Sequence, residues 1–432
     1  MKSIAALITL LAILLPFQFA LQPAEGVDLA IVRIIVPMVT LAWLFVRLGQ
    51  RQVRLPATGQ AALFFSFLFI SALSLFVALQ IGWGLRKLAF LFSLAPLYVV
   101  AWDIFASLPQ WRTRIVKALL WGAGIAACVG VAQFSLQFFI GSGAVVERWH
   151  SLMVFFLGSS FAQTVSAHPS FFVHVSGHDL LRASAFFPDP HMMAFYMGML
   201  LPFAVAFSAA SSSGIKKISY GILAALLLLA DILTFSRGGY AGLLGGAMIA
   251  AVLLRDRFFM RDARRTFIVL SLVTLFLVVF FSSPFGARMI SIFDVTEGSN
   301  QGRIATWMQA LTIIAHHPIG GVGIGNYAIV VDPSADYRAP YYAHNLYLDI
   351  AAESGVSAAL LWIGMLTTAF FSFVRAGKRD SVAIACAVSI VIFSVHALFE
   401  TPLYSVHVFP ILLLILSLGA AYASPSRHSV AQ

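Results

Sequence analysis

Long apolar windows broken by short polar or basic connections dominate the chain. They fall at about 4–21, 27–48, 61–80, 86–106, 115–140, 192–211, 216–235, 237–254, 266–282, 345–374, 381–399 and 403–423. Each is long enough as a helix, at a rise of about 1.5 Å per residue, to cross the roughly 30 Å of hydrocarbon in a bilayer. The pattern predicts an all-α integral membrane protein of about 12 transmembrane helices. The first window follows Lys2 and has the look of a signal peptide, but it is long for one and Ala20-Leu21-Gln22 is a poor cleavage site, so a retained span is expected.

The connections differ in charge. Arg47, Arg51 and Arg54, then Arg112, Arg114 and Lys117, then Lys216 and Lys217, then Arg255, Arg257, Arg261, Arg264 and Arg265, then Arg375, Lys378 and Arg379 all fall in even-numbered loops. Basic loops stay on the cytoplasmic side, which places both termini there and the two long connections, at about 141–191 and 283–344, on the outer side. Five regions follow: N-terminal transmembrane helices over 1–140, an outer loop with interfacial helices over 141–191, central transmembrane helices over 192–282, a large outer loop over 283–344, and C-terminal transmembrane helices with a cytoplasmic tail over 345–432. No internal repeat is visible.

Composition sharpens this picture. Hydrophobic residues make up 60% of the chain and charged residues only 10%, too few for a water-soluble surface, so the lipid bilayer is the first partner. The net charge of +10 punctuates apolar runs instead of forming a soluble cationic face, which argues against nucleic acid. Cys128 and Cys386 lie in apolar stretches without partner spacing, so no disulfide or thiolate metal site is expected.

A charge at mid-bilayer costs about 3 kcal/mol, so polar groups at outward span ends call for a reason. Arg182, Arg237, Arg303, His344 and Glu400 occupy such places. Arg237 opens a span, and Gly238 and Gly239 leave the helix start uncovered, so a guanidinium and free N–H groups would point the same way, as a phosphate site requires. An arginine that snorkels to the interface fits the same position. Arg182 and Arg303 sit in similar settings, and three guanidiniums on one face suit a pyrophosphate. His344 precedes Asn345, Asp349 and Glu353, which share one helical stripe. An imidazole with a pKa near 6.5 suits a general base, although a wetted interfacial histidine has the same signature. His396 and His407 read as satisfied core residues, and His316-His317 as loop surface. The run Gly320-Gly321-Val322-Gly323-Ile324-Gly325 has no preceding strand, so a tight bend towards Asn326 and Tyr327 is expected and not a dinucleotide site. No HExxH, GxSxG or paired-aspartate spacing occurs, so the reaction is expected to need neither metal nor cofactor.

Together the blocks Arg182 to His191, Ser236-Arg237-Gly238-Gly239, Gly302-Arg303 to Trp307, His317 to Tyr327, and His344-Asn345-Leu346-Tyr347 to Glu353-Ser354-Gly355 resemble the O-antigen ligase and polymerase family, over roughly residues 180–405. The resemblance implies a GT-C-like bundle with two long outer loops. It also implies a membrane glycosyltransferase of bacterial cell-surface polysaccharide assembly in the inner membrane, moving a glycan from undecaprenyl diphosphate to a glycan or lipid acceptor alongside other polysaccharide-assembly proteins. On that resemblance Arg182, Arg237 and Arg303 hold the diphosphate, His344 is the base and Glu400 orients it. Pro188-Asp189-Pro190-His191 departs from the family's usual Pro-Asn ending, which leaves the role of His191 open. A polytopic transporter or flippase is the alternative, but its polar groups would gather at the bilayer midplane.

Overall fold

The computed structural model describes residues 1–24, 27–159, 162, 169–175, 177–258, 282–291, 298–337, 341–378 and 380–423. Helices dominate: α1 (Lys2–Leu14), α2 (Val32–Gly49), α3 (Gly59–Leu73), α4 (Ile81–Leu94), α5 (Pro96–Ser107), α6 (Gln110–Ile140), α7 (Ser142–Leu157), α8 (Pro190–Ala210), α9 (Gly214–Ile232), α10 (Arg237–Phe258), α11 (Pro284–Ile290), α12 (Gly298–His316), α13 (Tyr327–Val331), α14 (Leu346–Ser354), α15 (Val356–Ala376), α16 (Ser381–His396) and α17 (Val408–Ala423). Seven segments among the described residues are long and apolar enough to span a bilayer: Val32–Gly49, Gly59–Val77, Ile81–Ser107, Gln110–Ile140, Pro190–Ala210, Arg237–Arg255 and Val356–Ala376. Lys2–Leu14, Ser381–His396 and Val408–Ala423 are apolar but shorter. The chain is a multi-pass α-helical membrane protein. Nearly all of the 266–282 window lies outside the described residues.

The architecture is helical as expected, and two short antiparallel hairpins accompany the helices, one between β1 (Ala20–Ala24) and β2 (Val27–Ala30) and one between β3 (Phe172–Val175) and β4 (His178–Leu181). The first hairpin shortens the window at 4–21, whose helix stops two residues before Pro16, which cannot donate a helical hydrogen bond. The 345–374 window is two helices, not one span. Gly355 takes φ of 87° between α14 and α15, a left-handed conformation, and a Cβ there would lie 1.9 Å from the Ile319 carbonyl oxygen.

The bundle packs α8 against α9 and α16, α10 against α16, α15 against α3, and α17 against α5. Close approach of α10 to α16 comes from glycines on one stripe. Cβ atoms at Gly238, Gly242 and Gly246 would meet His396, the Ile392 carbonyl and the Ile392 side chain at 2.6, 2.9 and 2.4 Å. Small residues every fourth position let helix backbones meet where lipid gives no hydrophobic drive to associate. Arg47, expected as a loop cation, is instead buried. Its Nη2 and Nε each lie 2.6 Å from the Asp103 carboxylate, which also accepts from Trp43 Nε1 at 2.7 Å. Paired and hydrogen-bonded in this way, the two charges are tolerated inside the bundle.

Candidate active site

Three chain breaks in regular structure meet at one end of the bundle: the approach to α8, the turn before α10, and the loop between α16 and α17. Asp189 caps α8 by accepting from Met192 N at 2.9 Å, and Pro190 occupies the first turn, where its missing N–H costs nothing. This aims His191 inward. Phe235 takes φ of 50°, bringing Ser236 in as the hydroxyl that opens α10. The chain turns after His396, with Phe399 N donating to the His396 carbonyl, and presents Glu400.

His344 is held from both sides. Ala343 N donates to Asp349 Oδ1 at 2.8 Å, the Ala343 carbonyl accepts from Thr306 Oγ1 at 3.2 Å, and Leu346 N donates to the Ala397 carbonyl at 2.9 Å. Asn345 caps α14 through Tyr347 N and Leu348 N. Between these restraints His344 adopts φ of 50°, a conformation that costs a non-glycine residue about 1 kcal/mol or more and persists only where its neighbours enforce it. The other carboxylate oxygen of Asp349 accepts from the Thr401 hydroxyl, next to Glu400. Asp349 therefore ties the His344 and Glu400 segments together.

Glu400 is the centre of the cluster. Its Oε2 lies 3.0 Å from His344 Nδ1, and its Oε1 lies 2.7 Å from Arg303 Nη2 and 3.6 Å from His191 Nε2. The Glu400 side chain is 9% exposed, that of Arg303 14% and that of His344 46%, so His344 is the member open to a reactant. Burial pushes the Glu400 carboxyl up, but His191, His344 and Arg303 outweigh it and hold it well below the usual carboxylate range. In return the Glu400 charge raises the His344 imidazole above its ordinary value, against burial and Arg303. A carboxylate on Nδ1 fixes the tautomer with the proton there, leaving the Nε2 lone pair to act.

A second chain of contacts runs inward. His191 Nδ1 lies 2.9 Å from Ser236 Oγ, which lies 3.2 Å from His396 Nε2 and accepts from Gly239 N at 3.2 Å. The His396 ring stacks on Phe195 with centroids 3.5 Å apart. The sequence left the role of His191 open and read His396 as core. His396 is indeed buried, yet it joins the site through Ser236. His407 is buried too, but its ring nitrogens have no partner among the described groups, so it is not a satisfied histidine.

The arginines divide. Arg303 reaches Glu400 directly. Arg182 is buried, donating from Nε to the Thr234 carbonyl at 2.6 Å and from Nη1 to the Ser170 carbonyl at 2.8 Å, with Nη2 at 3.5 Å from His191 Nε2. Burial lowers its pKa to about 10, and the nearby Arg288 charge adds to this. Arg237 donates from Nη1 to Asn300 Oδ1 at 2.8 Å and to the Ser291 carbonyl at 3.3 Å. The α10 start is not uncovered as expected, because Ser236 caps it and His396 and Phe399 lie against Gly238. Gly321, Gly323 and Gly325 make the expected tight bend with positive φ, and it packs on Ala78, Trp83 and the Glu353 backbone. Among the described residues, no group of histidine, cysteine and carboxylate side chains has a metal-binding arrangement.

Residues 182, 191, 303, 344 and 400 thus assemble from elements spread over half the chain, while Arg237 follows Ser236 in sequence and turns its guanidinium to Asn300 and the Ser291 carbonyl. No curated protein matches the chain significantly. Residues 222–363 match the model of the O-antigen ligase family, and this stretch carries Arg237, Arg303 and His344.

Proposed function

We propose that the protein is a membrane glycosyltransferase that moves a glycan from undecaprenyl diphosphate to an acceptor hydroxyl on the outer face of the inner membrane, without metal. The observation that carries this reading is the half-exposed His344, fixed by the buried Glu400 carboxylate whose other oxygen is held by Arg303.

In this mechanism His344 Nε2 takes the proton from the acceptor hydroxyl as its oxygen attacks the anomeric carbon. The bond from that carbon to the diphosphate oxygen breaks, and the lipid diphosphate leaves with the electron pair. Arg303 and Arg237 stabilise the growing charge, while Arg182 adds positive potential from beneath, its own guanidinium being spent on carbonyl oxygens. Attack opposite the leaving group inverts the anomeric configuration. We also propose about twelve spans with both termini cytoplasmic, which places His344 and Glu400 outside.

The test is transfer by purified protein in liposomes, given an undecaprenyl diphosphate-linked oligosaccharide and candidate acceptors. Wild type is expected to transfer, and His344→Ala to lose at least about a hundredfold in rate. Arg237→Ala is expected to raise the donor KM. Unchanged transfer in both variants sinks the assignment, and donor movement across vesicles lacking acceptor favours a flippase. Product of the same anomeric form as the donor, read by NMR, overturns inversion.

A further inference from the structure

A second polar cluster lies at the far end of α14 from His344. Glu353, near the α14 C-terminus, is buried and pairs with Lys87 of α4 at 2.7 Å. Lys87 Nζ also lies 4.5 Å from the Tyr404 ring centroid and 5.1 Å from that of Tyr342. Beside it Arg86 stacks its guanidinium 4.7 Å over Tyr337, whose ring meets Trp83 edge-on at 5.6 Å. Arg33 of α2 completes the group, 5.4 Å over Phe90 and 3.4 Å from Ser93 Oγ, and Arg33, Arg86 and Lys87 all lie within electrostatic reach of Tyr337.

The charges do not balance. Lys87 is neutralised by Glu353, but neither Arg33 nor Arg86 makes an ion pair among the described residues. Arg33 is half-buried, and a cation withdrawn from water without a counter-ion is costly unless something anionic meets it. The hydroxyls of Tyr337, Tyr342 and Tyr404 make no hydrogen bond to described residues, so three donors also stand ready, Tyr337 beside the Arg86 guanidinium and Tyr342 and Tyr404 around the Lys87 ammonium. Unpaired cations, open hydroxyls and aromatic faces together match a ligand that is hydroxyl-rich, has apolar ring faces and bears negative charge. A sugar carrying a phosphate or carboxylate has all three properties. A phospholipid headgroup shares only the charge.

We propose that Arg33, Arg86, Trp83, Tyr337 and Tyr342 form a second subsite that binds an anionic sugar of the acceptor glycan. This rests on the glycosyl-transfer reading above. Asn345 to Glu353 spans eight residues of helix, about 12 Å at 1.5 Å per residue, so an oligosaccharide seated here can lay a hydroxyl further along its chain against His344. The Lys87–Glu353 pair bolts α4 to α14 and fixes that separation.

The experiment compares a phosphorylated oligosaccharide with its dephosphorylated form, as acceptors for transfer and as ligands in calorimetry with full-length protein. In wild type the phosphorylated form is expected to bind tighter and to have the lower KM. Arg33→Gln/Arg86→Gln is expected to reduce the ratio of kcat/KM for the phosphorylated over the neutral acceptor about tenfold, and Arg33→Lys/Arg86→Lys to recover part of it, with thermal unfolding confirming that both variants fold. His344→Ala, in which transfer is lost, is expected to bind the phosphorylated oligosaccharide as wild type does. A ratio unchanged in the glutamine variant overturns the subsite while leaving the transferase intact. Binding that responds to the arginines in a protein that never transfers upholds the subsite and overturns the transferase reading. Displacement of the oligosaccharide by anionic phospholipid, but not by phosphatidylcholine, at equal vesicle concentration identifies a lipid headgroup site and also overturns the proposal.

Discussion

His344 Nδ1 lies 3.0 Å from Glu400 Oε2, a contact made across 56 residues by an imidazole that faces solvent and a carboxylate that does not. The Glu400 charge raises the His344 pKa above 6.5, and catalysis as a base requires the neutral ring. Transfer is therefore expected to rise with pH through a midpoint above 6.5. Glu400→Gln removes the largest cause of the rise and leaves burial, which acts the other way, so the midpoint should move down while the maximal rate falls. A pH–rate profile of both proteins checks this, and a midpoint that stays in place shows that Glu400 does not set the His344 charge. Protonated His344 contributes stability that is complete below its unfolded pKa and is lost as pH rises through the raised folded value.

Asp349 acts through others. It accepts from Ala343 N and from the Thr401 hydroxyl, each adjacent to a member of the pair. Asp349→Ala is expected to lower kcat more than it changes donor KM, because His344 and Glu400 lose their relative placement while the arginines remain. It should also cost about 1–3 kcal/mol of stability by leaving Ala343 N unpaired. Asp349→Asn, which keeps one acceptor oxygen, should recover part of both. Equal loss in the two variants points to the charge and not to the hydrogen bonds.

The α10 glycine stripe sets the distance from Ser236 to His396. A Cβ at Gly242 would lie 2.9 Å from the Ile392 carbonyl oxygen, a backbone atom that cannot rotate away. Gly242→Val is expected to cost about 1–3 kcal/mol by overpacking and to weaken transfer by opening the Ser236 contact. Thermal unfolding in detergent measures the first and reconstituted transfer the second. A variant as stable as wild type would mean that α10 and α16 can separate freely.

Arg47 and Asp103 lie at the other end of α2 from Arg33, and their pairing predicts a non-additive cycle. Arg47→Met leaves a buried carboxylate without its partner and should cost about 3–5 kcal/mol. Arg47→Met with Asp103→Leu removes both charges and should recover most of it. Additive losses in the double variant would show that the two groups act separately.

The apolar windows alone determined a multi-pass helical protein, because a bilayer demands a run of apolar residues that no local context can disguise. The same windows misjudged 345–374. A left-handed Gly355 breaks a helix without breaking hydrophobicity, so hydropathy passes over it. The sequence also marked Arg303, His344 and Glu400 as polar groups at span ends, each needing a reason. What only the tertiary structure decided is how they are shared. Arg182 is committed to carbonyl oxygens, the Gly238-Gly239 helix start is covered by His396, and His191 and Ser236 join the cluster from positions whose residue types are common in any chain. The glycine stripe at 238, 242 and 246 takes its meaning only from α16, whose Ile392 and His396 it lets approach. Side-chain partners more than a hundred residues apart are set by how spans pack, and span packing depends on shape across the whole bundle, which no single window of sequence contains.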